Sequence, residues 1–269
     1  SSPNYTASVV GPKVFIRSLT NADTFVVVSS TTTISSTDTN MVDFNNKAEM
    51  YKSTADGWAL VPLGFELAFT SGGVTQIIEG QTIIGATSGA TAVLTRVMLE
   101  SGSWPAGTAA GKFIFAVKSG TFQSENIDVG GSGNLATVAA DALEIELLGN
   151  GDYNILENNF DGAANQDRLY GCDGKNRGFE FDGFVYCPVK TGYSPDTPEK
   201  VAEFKNHLFY GFAGSMQHSG INTPYTWTIV TGAGELAIGG QITGFQEQPA
   251  GTPTSGQGAS SLAVFGRNR

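Results

Sequence analysis

Two histidines, His207 and His218, are the only imidazoles in the 269-residue chain. His218 stands beside Ser219, the start of a nucleophile–base dyad, but no acid lies nearby in sequence to orient it. His207 sits in Lys205-Asn206-His207, which reads as a solvated turn. Neither histidine has the spacing of a zinc ligand set. Asp152, Glu157 and Asp161, or Asp43 with Asn45 and Asn46, offer oxygens to a calcium ion, yet neither set follows the twelve-residue loop pattern. The Gly-Lys pairs Gly111-Lys112 and Gly174-Lys175 continue into Phe113 and Asn176, not into the Ser or Thr of a phosphate-binding loop. Gly232-Ala233-Gly234 lacks the third glycine of a dinucleotide fingerprint. The reading is a chain without catalytic, cofactor-binding or metal-binding residues, and not an enzyme. A glycosidase carboxylate pair among the 25 acids stays a third alternative, as in a tailspike-like glycan hydrolase.

The two cysteines, Cys172 and Cys187, fall in what reads as a three-stranded meander. Tight hairpins would set Cys172 beside Arg177 and Cys187 opposite Gly178. The thiols then lie two strands apart, about 10 Å, beyond disulfide reach. Two free, buried thiols are expected. Trp58, Trp104, Trp227, Phe179, Phe181, Tyr186, Phe209 and Phe212 alternate along strands as core residues do; a sugar-binding platform is the competing use.

The elements that must carry these residues are strands. Charged residues make up 15% of the chain and glycine 35 positions, a composition poor in helix formers and rich in turn formers. Lys13–Arg17 and Thr24–Val28 read as a hairpin. Met50–Lys52, Trp58–Val61, Phe65–Phe69, Phe113–Val117, Ala142–Leu148, Val201–Phe204, Leu208–Phe212, Thr226–Val230, Glu235–Ile238, Ile242–Phe245 and Leu262–Phe265 follow as strands. Thr197–Leu208 has helical composition, but its flanks and its turn favour a hairpin. Many short strands at this spacing predict an all-β fold.

Asp56-Gly57-Trp58-Ala59-Leu60-Val61-Pro62 matches Asp182-Gly183-Phe184-Val185-Tyr186-Cys187-Pro188 in type and spacing. Asp-Gly suits a type I′ turn and the proline ends the strand. Repeated hairpins of this kind predict blades of a β-propeller, partial or complete, formed by residues 1–72 and 142–269. Residues 73–141 differ in character and read as a small inserted β-module. The terminal strand Leu262–Phe265 has no partner after it, so an open edge is expected, covered by further chain or by a neighbouring subunit.

The net charge of −10 and scattered basic residues argue against stable nucleic-acid binding. No apolar run approaches a membrane span, and Ser1-Ser2-Pro3-Asn4-Tyr5 lacks the pattern of a signal peptide.

The phrase Glu79-Gly80-Gln81-Thr82-Ile83-Ile84-Gly85-Ala86-Thr87-Ser88-Gly89-Ala90-Thr91-Ala92, followed by Gly120-Thr121-Phe122-Gln123-Ser124-Glu125, resembles a module that recurs in virion proteins of tailed bacteriophages. Arg168-Leu169-Tyr170-Gly171-Cys172-Asp173-Gly174, Phe179-Glu180-Phe181-Asp182-Gly183, Lys205-Asn206-His207-Leu208-Phe209 and Gln217-His218-Ser219-Gly220 are similar to propeller-type, nozzle-like tail proteins of such phages. The resemblance implies a structural role in the tail of the virion, in a ring of copies around the DNA-exit channel. Neighbouring tail or head–tail connector proteins would be its partners. A carbohydrate-binding adhesin module is the alternative.

Overall fold

The computed structural model describes residues 47–163, 166–248 and 260–267, together with the backbone of four strands nearer the N-terminus. The chain divides into two compact units. The first holds Ser1–Glu49 and Leu147–Asn150. In it β1 (Tyr5–Val10) pairs β2 (Lys13–Ser18), and β3 (Val27–Val28) pairs β4 (Thr33–Ile34). Of the expected hairpin between Lys13–Arg17 and Thr24–Val28, the described part pairs otherwise, β2 with β1 and Val27–Val28 with β4, while residues 24–26 lie outside the described residues. Lys47–Ala48 (β5) pairs Leu147–Leu148, which is β17 in chain order.

The second unit is Met50–Glu146 with Gly151–Arg269, and its described residues are all-β and antiparallel apart from one 3₁₀ turn at Ile229–Thr231. It opens with the hairpin β6 (Tyr51–Thr54) and β7 (Gly57–Leu60). Its largest sheet has nine strands and curls into half a barrel. These strands are β8 (Phe65–Gly72), β9 (Thr82–Gly85), β10 (Thr91–Val93), β11 (Arg96–Ser101), β12 (Ala109–Phe115), β13 (Lys118–Ser119), β14 (Glu125–Asp128), β15 (Ala136–Val138) and β16 (Leu143–Glu144). The order is β11-β12-β8-β15-β14-β9-β10-β13, with β16 also on β8. A central strand, β8, and β16 both lie outside 73–141, so the sheet runs wider than the module read from sequence.

Alternation, interrupted by register shifts at Leu99/Ser101 and Ala109/Gly111, sets the two faces of this sheet. Phe65, Leu67 and Phe69 of β8, Phe113 and Phe115 of β12, and Val97 and Leu99 of β11 turn to a core shared with Trp104, Phe122 and Ile127. Phe69 stacks on Phe113 at 4.2 Å and on Trp104 at 5.4 Å. Glu66, Arg96 and Lys112 take the alternate positions, on the opposite face. Beside them β11 and β12 come so close that a Cβ on Gly111 would lie 1.9 Å from the Met98 carbonyl oxygen. Only glycine fits there.

Two four-stranded antiparallel meanders follow, each blade-like in layout. The first runs β18 (Asn154–Asn158), β19 (Arg168–Cys172), β20 (Phe179–Phe181) and β21 (Tyr186–Pro188). The second runs β22 (Lys200–Phe204), β23 (His207–Gly211), β24 (Ser215–His218) and β25 (Gly234–Ala237). Tyr170, Cys172, Val189, Leu208, Tyr210 and Phe212 form the core common to both. The β22–β23 hairpin is closed by Lys205 and Asn206, with φ of 50° and 61°, so this stretch is the hairpin and not a helix.

The remaining strands, β26 (Ile242–Gln248) and β27 (Ser261–Gly266), pair only with each other among the described residues. The strand read as partnerless, Leu262–Phe265, thus finds β26 on one side. The described residues form two four-stranded, blade-like sheets; β8 is drawn into the curled sheet, and β6–β7 stays a pair. Thr226–Val230, read as a strand, instead leads into the 3₁₀ turn, with Trp227 stacked 5.3 Å from Tyr210.

Two turns shift the expected registers. Asp173 Oδ1 accepts the backbone N–H groups of Lys175 and Asn176, and β19 pairs β20 as Gly171↔Phe179, one residue off the expected alignment. Asp182 Oδ1 accepts from Phe184 and Val185, which lengthens that turn and places Cys187 opposite Glu180, not Gly178. The matching heptapeptide at Asp56 turns differently. There Ala55-Asp56 form a two-residue connection and Thr54 pairs Gly57, whose φ is 122°.

Candidate functional site

The charged face of the curled sheet meets the first meander through two buried clusters of ions. Arg96 projects from the apolar run Val93–Leu99 and is 4% exposed. Its Nη1 lies 3.1 Å from Glu180 Oε1, its Nη2 2.5 Å from Asp182 Oδ2, and its Nε 3.1 Å from Glu79 Oε1. Glu180, fully buried between Phe179 and Phe181 in sequence, also receives Arg168 Nη1 at 3.3 Å and the hydroxyls of Tyr170, at 3.2 Å, and Tyr225. Burial alone would make Arg96 easier to deprotonate, but Glu180 together with the other acidic groups around it, Glu79 among them, outweighs burial and holds the guanidinium charged. Burial, and then the charge of Glu180, push the Tyr170 and Tyr225 phenols well up.

The second cluster centres on Glu66 of β8. Lys112 Nζ sits 2.8 Å from Glu66 Oε2, and Arg177 Nη2 sits 2.7 Å from Oε1. Burial raises the Glu66 pKa, yet the hydrogen bond and charge of Arg177 with those of Lys112 lower it further, so its carboxyl titrates below the ordinary range. Glu100, 3.7 Å from Lys112, goes the other way: burial dominates and lifts its pKa. Buried ion pairs of this kind add little net stability over apolar contacts, but they cost much when one partner is lost.

Within the sheet, Glu125 fastens together the two sequence phrases that carry the phage-module resemblance. Its Oε2 accepts the N–H groups of Thr87 and Ser88, and its Oε1 accepts Ser88 Oγ and Gln123 N, at 2.6 to 3.0 Å. Burial would raise this carboxyl; the bonds from Ser88, Gln123 and Thr87 prevail and lower it. Asp141 is held low in the same way, against burial, by Lys118 Nζ at 2.5 Å and by backbone N–H groups including that of Phe122.

A groove follows edge strand β11 beside the Arg96 cluster. One cavity of about 300 Å³ is bounded by Glu79, Arg96, Asp161, Arg168 and the loop Asn222–Thr226. A second, about 370 Å³, reaches toward Ile78 and Trp104, and the two share Glu79, Val97 and Leu99.

The residues singled out by sequence are mostly dispersed. His207 is not a solvated turn residue: it is half-buried at the start of β23, its ring 4.9 Å from that of His218. Both Nδ1 atoms donate to the Ser219 carbonyl, at 2.6 and 3.0 Å. Ser219 Oγ accepts Leu208 N and donates to the Gly220 carbonyl, so no His218–Ser219 dyad forms. Asp161 lines the groove and contacts Arg168 at 3.5 Å, apart from the exposed Glu157 of β18. Asp43, Asn45 and Asn46 lie outside the described residues.

Lys112 belongs to the Glu66 cluster, Lys175 to the Asp173 turn, and Gly232 ends the 3₁₀ turn. Cys172 and Cys187 are free and buried, on β19 and β21 with β20 between them. Of the aromatics expected in the core, Trp104, Phe179, Phe181, Tyr186, Phe209 and Phe212 are buried and Trp227 half-buried, but Trp58 is 76% exposed. It stands on the two-stranded β6–β7 hairpin and not in a wider sheet. Among the described residues, no three His, Cys, Asp or Glu side chains gather as a metal site.

Glu66, Arg96 and Glu180 were not legible as site residues in the sequence. The available signal was a single charge inside an apolar strand, as in Phe179-Glu180-Phe181.

Comparison with known proteins finds no matching family model, no similar curated protein and no similar solved structure.

Proposed function

We propose that the chain is a structural component of a bacteriophage tail, a ring or nozzle-like protein that works through assembly contacts with copies of itself and with neighbouring tail proteins, and not through catalysis. One observation carries the assembly role: large apolar side chains stand open on hydrogen-bonded turns and hairpins. Trp58 is 76%, Phe184 73%, Ile229 86% and Val230 98% exposed. The turns beneath them are firmly tied. Lys52 Nζ donates to the Gly183 carbonyl at 2.8 Å and lies 4.1 Å over the Phe184 ring, and Thr231 closes on the Thr228 carbonyl. Exposed apolar groups held this way suit contact with another protein surface. The placement in a phage tail rests on the sequence resemblance, whose two module phrases meet at Glu125.

Negative-stain microscopy of the purified chain tests the reading. Ring-shaped oligomers are expected, and Trp58→Ser or Val230→Ser should shift them toward monomers without lowering the melting temperature. A chain that stays monomeric at every concentration would overturn the assembly role. The charge of −10 predicts no duplex DNA binding at physiological salt, and affinity with a steep salt slope would contradict a passive channel wall.

A further inference from the structure

The groove along β11 has a chemistry that ring assembly does not use. Its polar lining comes from Glu79, Arg96, Asp161, Arg168, Asn222 and Thr223. Both arginines are already matched, Arg96 by Glu79, Glu180 and Asp182, and Arg168 by Glu180 and Asp161. No positive charge is left over for a phosphate or sulfate, and an anion entering would meet the outward carboxylates of Glu79 and Asp161, each about half exposed. What the groove offers is a wall of fixed donors and acceptors of both kinds. Beside it run the apolar surfaces of Val97, Leu99 and Pro224.

The wall is built before any ligand arrives. Asn222 N donates to the Asn206 carbonyl, Thr226 N to the Thr223 carbonyl, and the Thr223 and Thr226 hydroxyls meet at 2.5 Å. Tyr225 in the same loop is anchored on Glu180. A second observation points to an occupant. Arg96 lines the cavity with its side chain 5% exposed, and its Nε and Nη1, although within ion-pair distance of carboxylates, have no well-directed hydrogen-bond acceptor. Buried donors of that kind gain from an incoming oxygen.

A ligand that complements this surface is electrically neutral, carries many hydroxyl groups and has C–H faces to lay on the apolar strip. We infer that the groove binds a neutral glycan, its hydroxyls shared among the Glu79 and Asp161 carboxylates, Arg168 and Thr223. The cavity of about 300 Å³ takes the first sugar rings, and the neighbouring one, which shares Glu79, Val97 and Leu99 with it, lies in the direction of a longer chain. This site does not depend on the assembly reading, and either can fail without the other.

The test is an array of neutral hexose and N-acetylhexosamine oligosaccharides probed with the full chain, with sialylated, sulfated and glucosamine-only cationic oligomers as separate arms. The strongest ligand is then titrated calorimetrically. A neutral oligosaccharide is expected to bind with Kd on the order of 0.1–1 mM. Asp161→Ala and Glu79→Ala should each weaken it about tenfold, the loss of one charge-assisted hydrogen bond. Glu157→Ala, on the exposed side of β18, should leave it unchanged, and all three variants should melt as the parent does. The inference is overturned if no neutral glycan binds, if only the charged arms bind, or if the Asp161 and Glu79 variants bind as well as the parent.

Discussion

Arg96 Nη1 and Glu180 Oε1 stand 3.1 Å apart, one on edge strand β11 of the curled sheet and the other on β20 of the first meander, with both side chains withdrawn from water. The pair joins elements distant in sequence, and Asp182, Glu79, Arg168, Tyr170 and Tyr225 all converge on it. Because Arg96 and Glu180 are both withdrawn from water and compensate each other, the cluster is sensitive to the loss of either, whereas the half-exposed Glu79 adds little to stability.

Glu180→Ala leaves Arg96 buried with part of its compensation gone, and should lower unfolding stability by about 3–5 kcal/mol. Replacing both Arg96 and Glu180 with Met should cost less than the sum of the single changes. Urea unfolding of the two single variants and the double variant measures this coupling. Additive losses would mean that the two residues do not act together.

Glu125→Ala releases four donors from the Thr87-Ser88 turn and Gln123, and should cost about 2–4 kcal/mol. Hydrogen exchange should rise first at the Thr87 and Ser88 amides. Glu125→Gln should recover only part, since its amide supplies one acceptor oxygen in place of two.

Acid should loosen the fold in a defined sense. Glu66, Glu125 and Asp141 are held below their ordinary values, so each contributes stability that is fully present above its unfolded pKa and disappears as pH falls through the folded one. That loss sets in below about pH 4.5 for the two glutamates and 3.8 for the aspartate. Glu100 has the opposite sign: its raised pKa favours the fold at low pH and opposes it as pH climbs through that value. Glu100→Gln should therefore stabilise the protein more at pH 7 than at pH 4, as thermal melts at the two pH values would record.

Burial pushes both the Cys172 and Cys187 thiols up, Cys187 most strongly. Neither should react with a maleimide at neutral pH in the native protein, and both should react in denaturant. Labelling counted by mass spectrometry decides it, and fast native labelling of either thiol would contradict the burial of β19 and β21.

Deleting residues 73–141 and joining Gly72 to Ala142 would strip β8 of both β12 and β15 and open Leu67 and Phe69 to solvent. Cooperative thermal unfolding should be lost or fall sharply in temperature. An unchanged transition would show that β8 does not need its neighbours in the curled sheet.

The all-β character was legible in the chain itself. Low charge, many glycines and period-2 runs such as Phe65–Phe69 leave few other structures open, because local propensity and side-chain alternation act residue by residue. The hairpin at Lys205-Asn206 and the two unbonded thiols were legible for the same local reason. Register was not: Asp173 and Asp182 cap their turns through side-chain oxygens, and each cap moves a strand by a residue or two. Nor was the role of β8, which reads like any other amphipathic strand until its partners are chosen. The site lay furthest from sequence. Glu66, Arg96 and Lys112 occupy positions that alternation assigns to water. Only the packing of the meander against that face turned them into buried partners of Arg177 and Glu180, since the free energy of a charge depends on what surrounds it, and those surroundings come from strands far away along the chain.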